Sequence, residues 1–406
     1  MSNKPAQALP SLEIRTATPS SVRAVNRSIM LELIRRHYPI SRADLARLTG
    51  VFRSSVSDII DELVSEELVE EKKDGSNHLR GRAPLNLRLN ETSYQVLGLN
   101  IRPNYCQLAY AGPSGHIQKS LTFETPTSPK KLVRAVEKAV SGLMVERGSK
   151  TAKPFQRMGV AIPGHVDAVS GRILWTPTHK ELADFPITEE LKLLTGIETV
   201  ADNDCNVGAL SELWLSTERK KDRSTDFVFL NVSDFGTGAG VVLNGDAYLG
   251  HDAHFAAEFG HMVVEPNGPQ CRCGRRGCWE LYVSNCATWN RVHPRTPFDA
   301  VRFEEMLADA RNGDARSRES IFETARYLSL GISNIGFAFN PDEVVIAGRI
   351  TGVWKLIETA VLRGFDSPHL RYTVRPARLS ADDSLLHGAV CLSLQEIFAG
   401  PKFWQR

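Results

Sequence analysis

The hydrophobic rhythm of the chain changes near residue 91. Before it, apolar residues recur at helical spacing. In TPSSVRAVNRSIMLELIRRHYPI, Val22, Val25, Ile29, Leu33 and Ile34 form one helical stripe. Thr18 can cap that helix, Pro19 suits its first position, and Tyr38-Pro39 ends it. SRADLARLTG predicts a short second helix, with Ser41 as N-cap, Asp44 three residues on, Leu45 and Leu48 facing inward and Gly50 as the stop. VFRSSVSDIIDELVSEELVEE puts Val56, Ile59, Ile60, Leu63 and Val64 on one face of a third helix. Two short helices joined by about four residues, after a longer first helix, make a helix-turn-helix pattern. LVEEKKDGSNHLRGRAPLNLRLN then predicts two strands around a turn tipped by Arg80-Gly81-Arg82, the form of a wing.

Beyond residue 91 strands and helices alternate. YQVLGLNI, YCQLAYAG and HIQKSLTF read as strands, followed by a helix over 128–147, the strand RMGVAIPG, a helix near 188–195, the strand IETVADN and a helix through CNVGALSELWLS. DFVFLNVSD and GAGVVLN are strands, later helices lie near 302–312 and 317–338, and DEVVIAG, a helix near 353–364, TVRPARLS and a final helix from about 384 follow. This is an α/β body. Two similar halves are expected, each a meander followed by a βαβ unit. The divisions are a loose polar tail over 1–17, a winged helix-turn-helix over 18–90, a first lobe over 91–202 with a helix over 384–400 packed back on it, and a second lobe over 203–383.

Composition adds limits. The 406 residues are 42% hydrophobic and 24% charged, as in ordinary globular chains. No apolar run nears the roughly 20 residues that span a bilayer, and the N-terminal stretch lacks a signal-peptide core. A cytoplasmic protein without membrane contact is expected, so its close cysteines are metal ligands before they are disulfides. Residues 1–90 hold 14 Lys/Arg against 11 Asp/Glu. That excess is small, so any nucleic-acid binding depends on local placement of charge.

Placement favours DNA. The N-terminal end of the third helix, which would enter a major groove, carries Arg53, Ser54, Ser55 and Ser57, with Ser41 and Arg42 beside it on the second. Arg80 and Arg82 on the wing suit a minor groove. An ordinary three-helix bundle with a solvated charged face would share much of this pattern. Further on, HMVVEPNGPQCRCGRRGCWE sets His261 before Cys271, Cys273 and Cys278, a Cys3His set suited to one tetrahedral zinc ion. With four protein ligands such an ion is structural. The Cys-x-Cys spacing argues against a redox pair. ADNDCN places Asn203 and Asp204 at a strand-to-helix junction, where they suit either helix capping or binding of vicinal hydroxyls. Asp204 also suits a general base. AEFGH supplies Glu258, and FGTGAG resembles a phosphate-cradling turn.

Taken in order, SRADLARLTG, AIPGHVD, DNDCNVGALSE, FGTGAG, AEFGHMVVEPNG, CRCGRRGCWE, FNPDEVVIAG and LHGAV resemble the ROK family over about 18–395, in its repressor branch, the NagC, Mlc and xylose-repressor type. The resemblance implies an actin-like, two-lobed sugar-kinase fold behind a winged helix-turn-helix. It implies one structural zinc held by His261, Cys271, Cys273 and Cys278, and a sugar or sugar-phosphate site between the lobes lined by Gly164, Asn203, Asp204, Glu258, His261 and Glu280. One histidine nitrogen would face the metal and the other the sugar. Operator DNA and further copies of the chain, as dimer or tetramer, are the implied partners, and some members also take a transport-system protein.

One stretch departs from the kinase members, which carry Asp-x-Gly-Gly-Thr after the first strand. Here Asn100-Ile101-Arg102-Pro103-Asn104 stands in its place. Proline removes an N–H donor, and asparagine lacks the charge that recruits Mg²⁺. The expectation is a sugar-responsive repressor with no catalytic residue, Asp204 serving as a ligand. A sugar kinase with an added DNA-binding head is the alternative.

Overall fold

The computed structural model describes residues 18–73, 85–147, 154–216, 226–250, 256–363 and 371–398. They divide into two compact units, Met1–Ser93 with Leu394–Arg406, and Tyr94–Ser393. The expected tail over 1–17 lies outside the described residues.

The first unit contains α1 (Pro19–Arg36), α2 (Arg42–Thr49), α3 (Arg53–Ser65), β1 (Val69–Lys73) and β2 (Leu85–Leu89). Local chemistry sets the helix ends. Thr18 and Ser41 each close a capping box, with Ser21 and Asp44 respectively, and Gly50 ends α2 in the left-handed region. β1 and β2 pair antiparallel from Val69↔Leu89 to Lys73↔Leu85, and Ile40 bridges to Leu87. The core is Met30, Leu31, Ile34, Leu45, Val56, Ile59, Ile60 and Leu63. The expected α1 stripe is therefore corrected. Ile34 is buried as expected and Val25 and Leu33 are half-buried, but Val22 and Ile29 are exposed, and Met30 and Leu31 face inward instead. Leu48 is also exposed.

The second unit is built twice over. Its first lobe holds β3 (Val96–Ile101), β4 (Tyr105–Ala111), β5 (Ile117–Glu124), α4 (Pro129–Glu146), β6 (Arg157–Ile162), a hairpin of β7 (His165–Asp167) and β8 (Arg172–Trp175), α5 (Ile187–Thr195), β9 (Glu198–Asn203) and then α6 (Asp204–Leu215). The sheet order is β5-β4-β3-β6-β9, antiparallel through the meander and parallel from β3 to β9.

The second lobe holds β10 (Phe227–Val232), β11 (Thr237–Leu243), β12 (Asp246–Ala247), α7 (Glu280–Val283), α8 (Asn285–Val292), α9 (Ala300–Asn312), α10 (Ala315–Phe339), β13 (Glu343–Gly348), α11 (Trp354–Leu362), β14 (Thr373–Pro376) and α12 (Ala381–Phe398). Its order, β12-β11-β10-β13-β14, repeats the first with the same directions. β3 and β10 are buried along their whole length, as strands covered on both faces must be.

The helix leaving each lobe packs on the other. α6 follows β9 of the first lobe yet lies against β10 and β11, where Gly208 leaves room for Phe229. α12 follows β14 of the second lobe yet lies on β3 and β6, where Gly98 and Gly159 admit Val390 and Ala389. The two helices touch at Gly388, whose missing Cβ would stand 1.9 Å from the Val207 carbonyl. Ser211 Oγ and His387 Nδ1 are 2.9 Å apart beside that crossing. Glu212, one residue on, is buried and ion-paired to Arg375 and Arg378.

Candidate functional site

The cysteine loop is held by its own backbone. Val263 bridges to Cys278 and Gln270 to Arg276, and Cys271 N–H donates to the Arg275 carbonyl at 2.8 Å. Gly277 sits at φ 67°, and a Cβ there would meet the Glu265 carbonyl at 1.6 Å. This fold brings one donor atom each from His261, Cys271, Cys273 and Cys278 within 4.8 Å of one another. His261 Nδ1 lies 3.6 Å from Cys271 Sγ, and Cys273 Sγ lies 3.5 Å from Cys278 Sγ. Tetrahedral zinc with Zn–S near 2.3 Å separates its thiolates by roughly 3.8 Å, so the set fits that ion. The three cysteines form no disulfide.

His261 turns its two nitrogens in different directions. Nδ1 faces the cysteines, and Nε2 faces Glu258 Oε2 at 4.0 Å. Glu258 Oε1 in turn meets His165 Nε2, on β7 of the opposite lobe, at 3.2 Å. Glu280 is buried at the start of α7, with Oε1 3.1 Å from Cys271 Sγ and 3.5 Å from His261 Nδ1, while Oε2 accepts from Arg272 at 3.3 Å. The carboxylate therefore lies against the metal cluster.

Asn203 has two tasks already. Its Oδ1 caps α6 by accepting from Cys205 N–H at 2.8 Å and Asn206 N–H at 3.4 Å, and its Nδ2 donates to the Gly164 carbonyl at 2.8 Å. Gly164, at φ 118°, packs so closely on Trp175 that a Cβ would lie 2.2 Å from the Trp175 carbonyl. Asn203 thus fixes the Gly164 turn to the first residue of α6, Asp204.

Asp204 is not free. Arg102 Nη1 donates to its Oδ2 at 3.1 Å, and Arg102 Nε lies 3.6 Å from Asp382 Oδ1 in the first turn of α12. Tyr105 O–H donates to Asp382 Oδ2 at 2.7 Å. Burial pulls the Arg102 pKa down, yet Asp204 and Asp382 outweigh it and the net direction is upward. Hydrogen bonding to Asp382 adds to burial in pushing the Tyr105 phenol well above its ordinary range. Nearby, Asn100 is fully buried, with Nδ2 on Gln107 at 2.9 Å. In the second lobe, Asp234 Oδ1 accepts from Asn285 at 2.8 Å and from Arg349 at 3.3 Å, and Arg349 also holds Glu304 at 2.8 Å.

Arg102 and His165 were visible in the sequence only as a replaced glycine and as the neighbour of Gly164. Asp382 carried no signal, because its partners lie some 280 positions away in the chain.

In the first unit, α1 and α2 have side-chain caps but α3 has none. Arg53 and Ser54 are exposed, whereas Ser55 and Ser57 are half-buried. Ser41 is engaged in its capping box, donating to Asp44 at 2.7 Å. Arg42 is spent within the domain, on Asp61 at 2.7 Å and Glu71 at 2.8 Å. Near the C-terminal end of α3, Glu62 and the C-capping Glu66 are paired from α1 by Arg23 and Arg27 respectively. Arg80 and Arg82 lie outside the described residues.

The profile of the ROK family matches residues 96–396. The chain belongs to the ROK family. Among its relatives, a putative xylose repressor from Caldicellulosiruptor sp. (strain Rt8B.4) is 27% identical over 94% of this chain and 98% of its own. The DNA-binding transcriptional dual regulator NagC of Escherichia coli K12 is 26% identical over 84% of each chain. Among solved structures, a ROK-family transcriptional regulator that is a homologue of the E. coli MLC protein superposes with a TM-score of 0.78 over 93% of this chain and 97% of its own, at 21% identity. That last likeness speaks for the fold. In this ROK protein the family profile begins at β3, and the helix-turn-helix unit precedes it. Among the described residues, no helix is long and apolar enough to cross a membrane.

Proposed function

We propose that this ROK protein is a sugar-responsive transcriptional repressor. Its first unit reads operator DNA through the N-terminal end of α3, and a sugar held between the lobes changes operator affinity. The observation that carries the reading is the Arg102–Asp204 ion pair. It occupies the place where a kinase needs a free base and a glycine turn, while Asn203, Glu258 and His261 remain arranged as a polar pocket. The pocket keeps recognition and loses phosphoryl transfer. One structural zinc per chain fits the Cys3His cluster and orients His261 towards the pocket. A symmetric homo-oligomer, dimer or tetramer, in the cytoplasm suits a repressor that presents two α3 helices to successive major grooves.

Selection from random duplexes is expected to enrich a two-fold symmetric site, and one or more aldoses are expected to change affinity for it. No enriched sequence would sink the DNA reading. Operator affinity unmoved by a broad sugar panel would sink the effector reading. The alternative is a sugar kinase, favoured by the retained Gly236–Gly240 turn. Sugar-dependent ATP turnover that disappears in Asp204→Asn would establish it in place of the repressor reading.

A further inference from the structure

The charge in the cleft is distributed in a way that selects among sugars. Arg102, whose side chain is only 14% exposed, faces two carboxylates, Asp204 and Asp382. Arg349, in the second lobe, also faces two, Asp234 and Glu304. Arg272 is matched one for one by Glu280, and among the described residues Glu258 is paired with histidines, His165 and His261. Among the described residues no guanidinium here is left over for a ligand, and both two-carboxylate sites carry a net negative charge. The β3–β4 turn adds no compensating amide nest, because Pro103 has no N–H. A dianionic phosphate or a sugar carboxylate placed beside Asp204 would meet like charge at low dielectric, with its own hydration removed. A hydroxyl there needs only to share hydrogen bonds with Asp204 and Arg102.

We propose that the pocket takes an uncharged sugar and rejects phosphorylated and acidic sugars, with Arg102 as the specificity-determining residue. Asp382 is its second counter-ion, holding the guanidinium so that no positive charge is left for a ligand anion. This rests on the effector reading above and narrows its ligand class.

Calorimetry on the full-length, zinc-loaded protein tests it. The panel is glucose, xylose and N-acetylglucosamine, then glucose 6-phosphate, N-acetylglucosamine 6-phosphate and glucuronate. The preferred neutral sugar is expected to bind at least about tenfold more tightly than its charged derivative. Asp382→Asn keeps the shape and an acceptor for Tyr105 but releases one counter-charge from Arg102. It should narrow that ratio several-fold by strengthening the anion. A charged sugar preferred by the natural protein overturns the proposal while leaving the effector reading in place. A ratio unmoved by Asp382→Asn overturns the assignment to Arg102. Failure of every panel member to bind overturns the effector reading and this proposal together.

Discussion

The two lobes open with the same device, a turn between a fully buried first strand and its antiparallel neighbour, and they have put it to opposite uses. In the first lobe, Arg102-Pro103-Asn104 joins β3 to β4, closed by Arg102 N–H on the Tyr105 carbonyl at 2.9 Å. In the second, Ser233 to Gly236 joins β10 to β11, closed by Ser233 N–H on the Gly236 carbonyl at 3.0 Å. The first turn sends a cation out of itself to Asp204. The second stays small because Gly236 backs onto Glu280, whose Oε2 would stand 2.9 Å from a Cβ there, and it receives a cation, Arg349, on Asp234. A repeated backbone slot can therefore hold an anion or supply a cation, according to two or three side chains.

The largest effect should come from the second turn's support. Chelation, or Cys273→Ser, removes the metal cluster that holds Glu280 and His261. The expected loss is several kcal/mol, a fall in melting temperature on the order of 10 °C, together with loss of the sugar response. Scanning calorimetry beside metal analysis and ligand titration reads all three. Sugar affinity that survives complete metal loss would separate the second turn from the pocket.

Next comes the contrast between the two arginines. Arg102→Ala strands the buried Asp204 carboxylate and should cost about 3 kcal/mol. Arg349→Ala, among more exposed partners, should cost less than about 1 kcal/mol. Equal losses in denaturant unfolding would erase the difference between the two turns.

Asp202, at the end of β9, sharpens the first lobe's side. Burial raises its carboxyl from 3.8 to about 6, against hydrogen bonds from Asn206 and the Asn203 N–H that lower it. A raised carboxyl contributes stability that is complete below its unfolded pKa of 3.8 and is lost as pH rises through about 6. Asp202→Asn should therefore stabilise the fold at pH 7 by roughly 3 kcal/mol and flatten the profile between those values. A variant with an unchanged pH profile would place the proton elsewhere. Asn203→Ala should have a small effect, about 1 kcal/mol from the lost cap, seen as a lower melting temperature. Because the same side chain tethers the Gly164 turn, sugar affinity should fall more than that figure implies. Affinity that follows the cap alone would remove the tether from the pocket.

Local chemistry was the legible part of the sequence. Thr18, Ser41 and Gly50 act within their own helices, so spacing reveals them, and the cysteine loop closes over eight positions. Helical periodicity found α1 and the inward Ile34 but not the rest of its inward face, because apolar residues occur all around it and only tertiary contact chooses Met30 and Leu31 over Val22 and Ile29. β7 and β8 are three and four residues long, too short to show an alternation. Asn203 admitted two readings, and the structure shows the capping one directly. The partners of Arg102 lie 102 and 280 positions away, and nothing along the chain marks such a pairing.

The crossing at Gly388 ties the two lobes together. Each lobe's departing helix is clasped by the other, so the lobes share an axle and cannot simply slide apart. Its clearance is nil, since a single added methyl would overlap the Val207 carbonyl at 1.9 Å. Any larger residue at 388 would wedge the two helices apart, so one missing carbon atom sets how closely the lobes are joined.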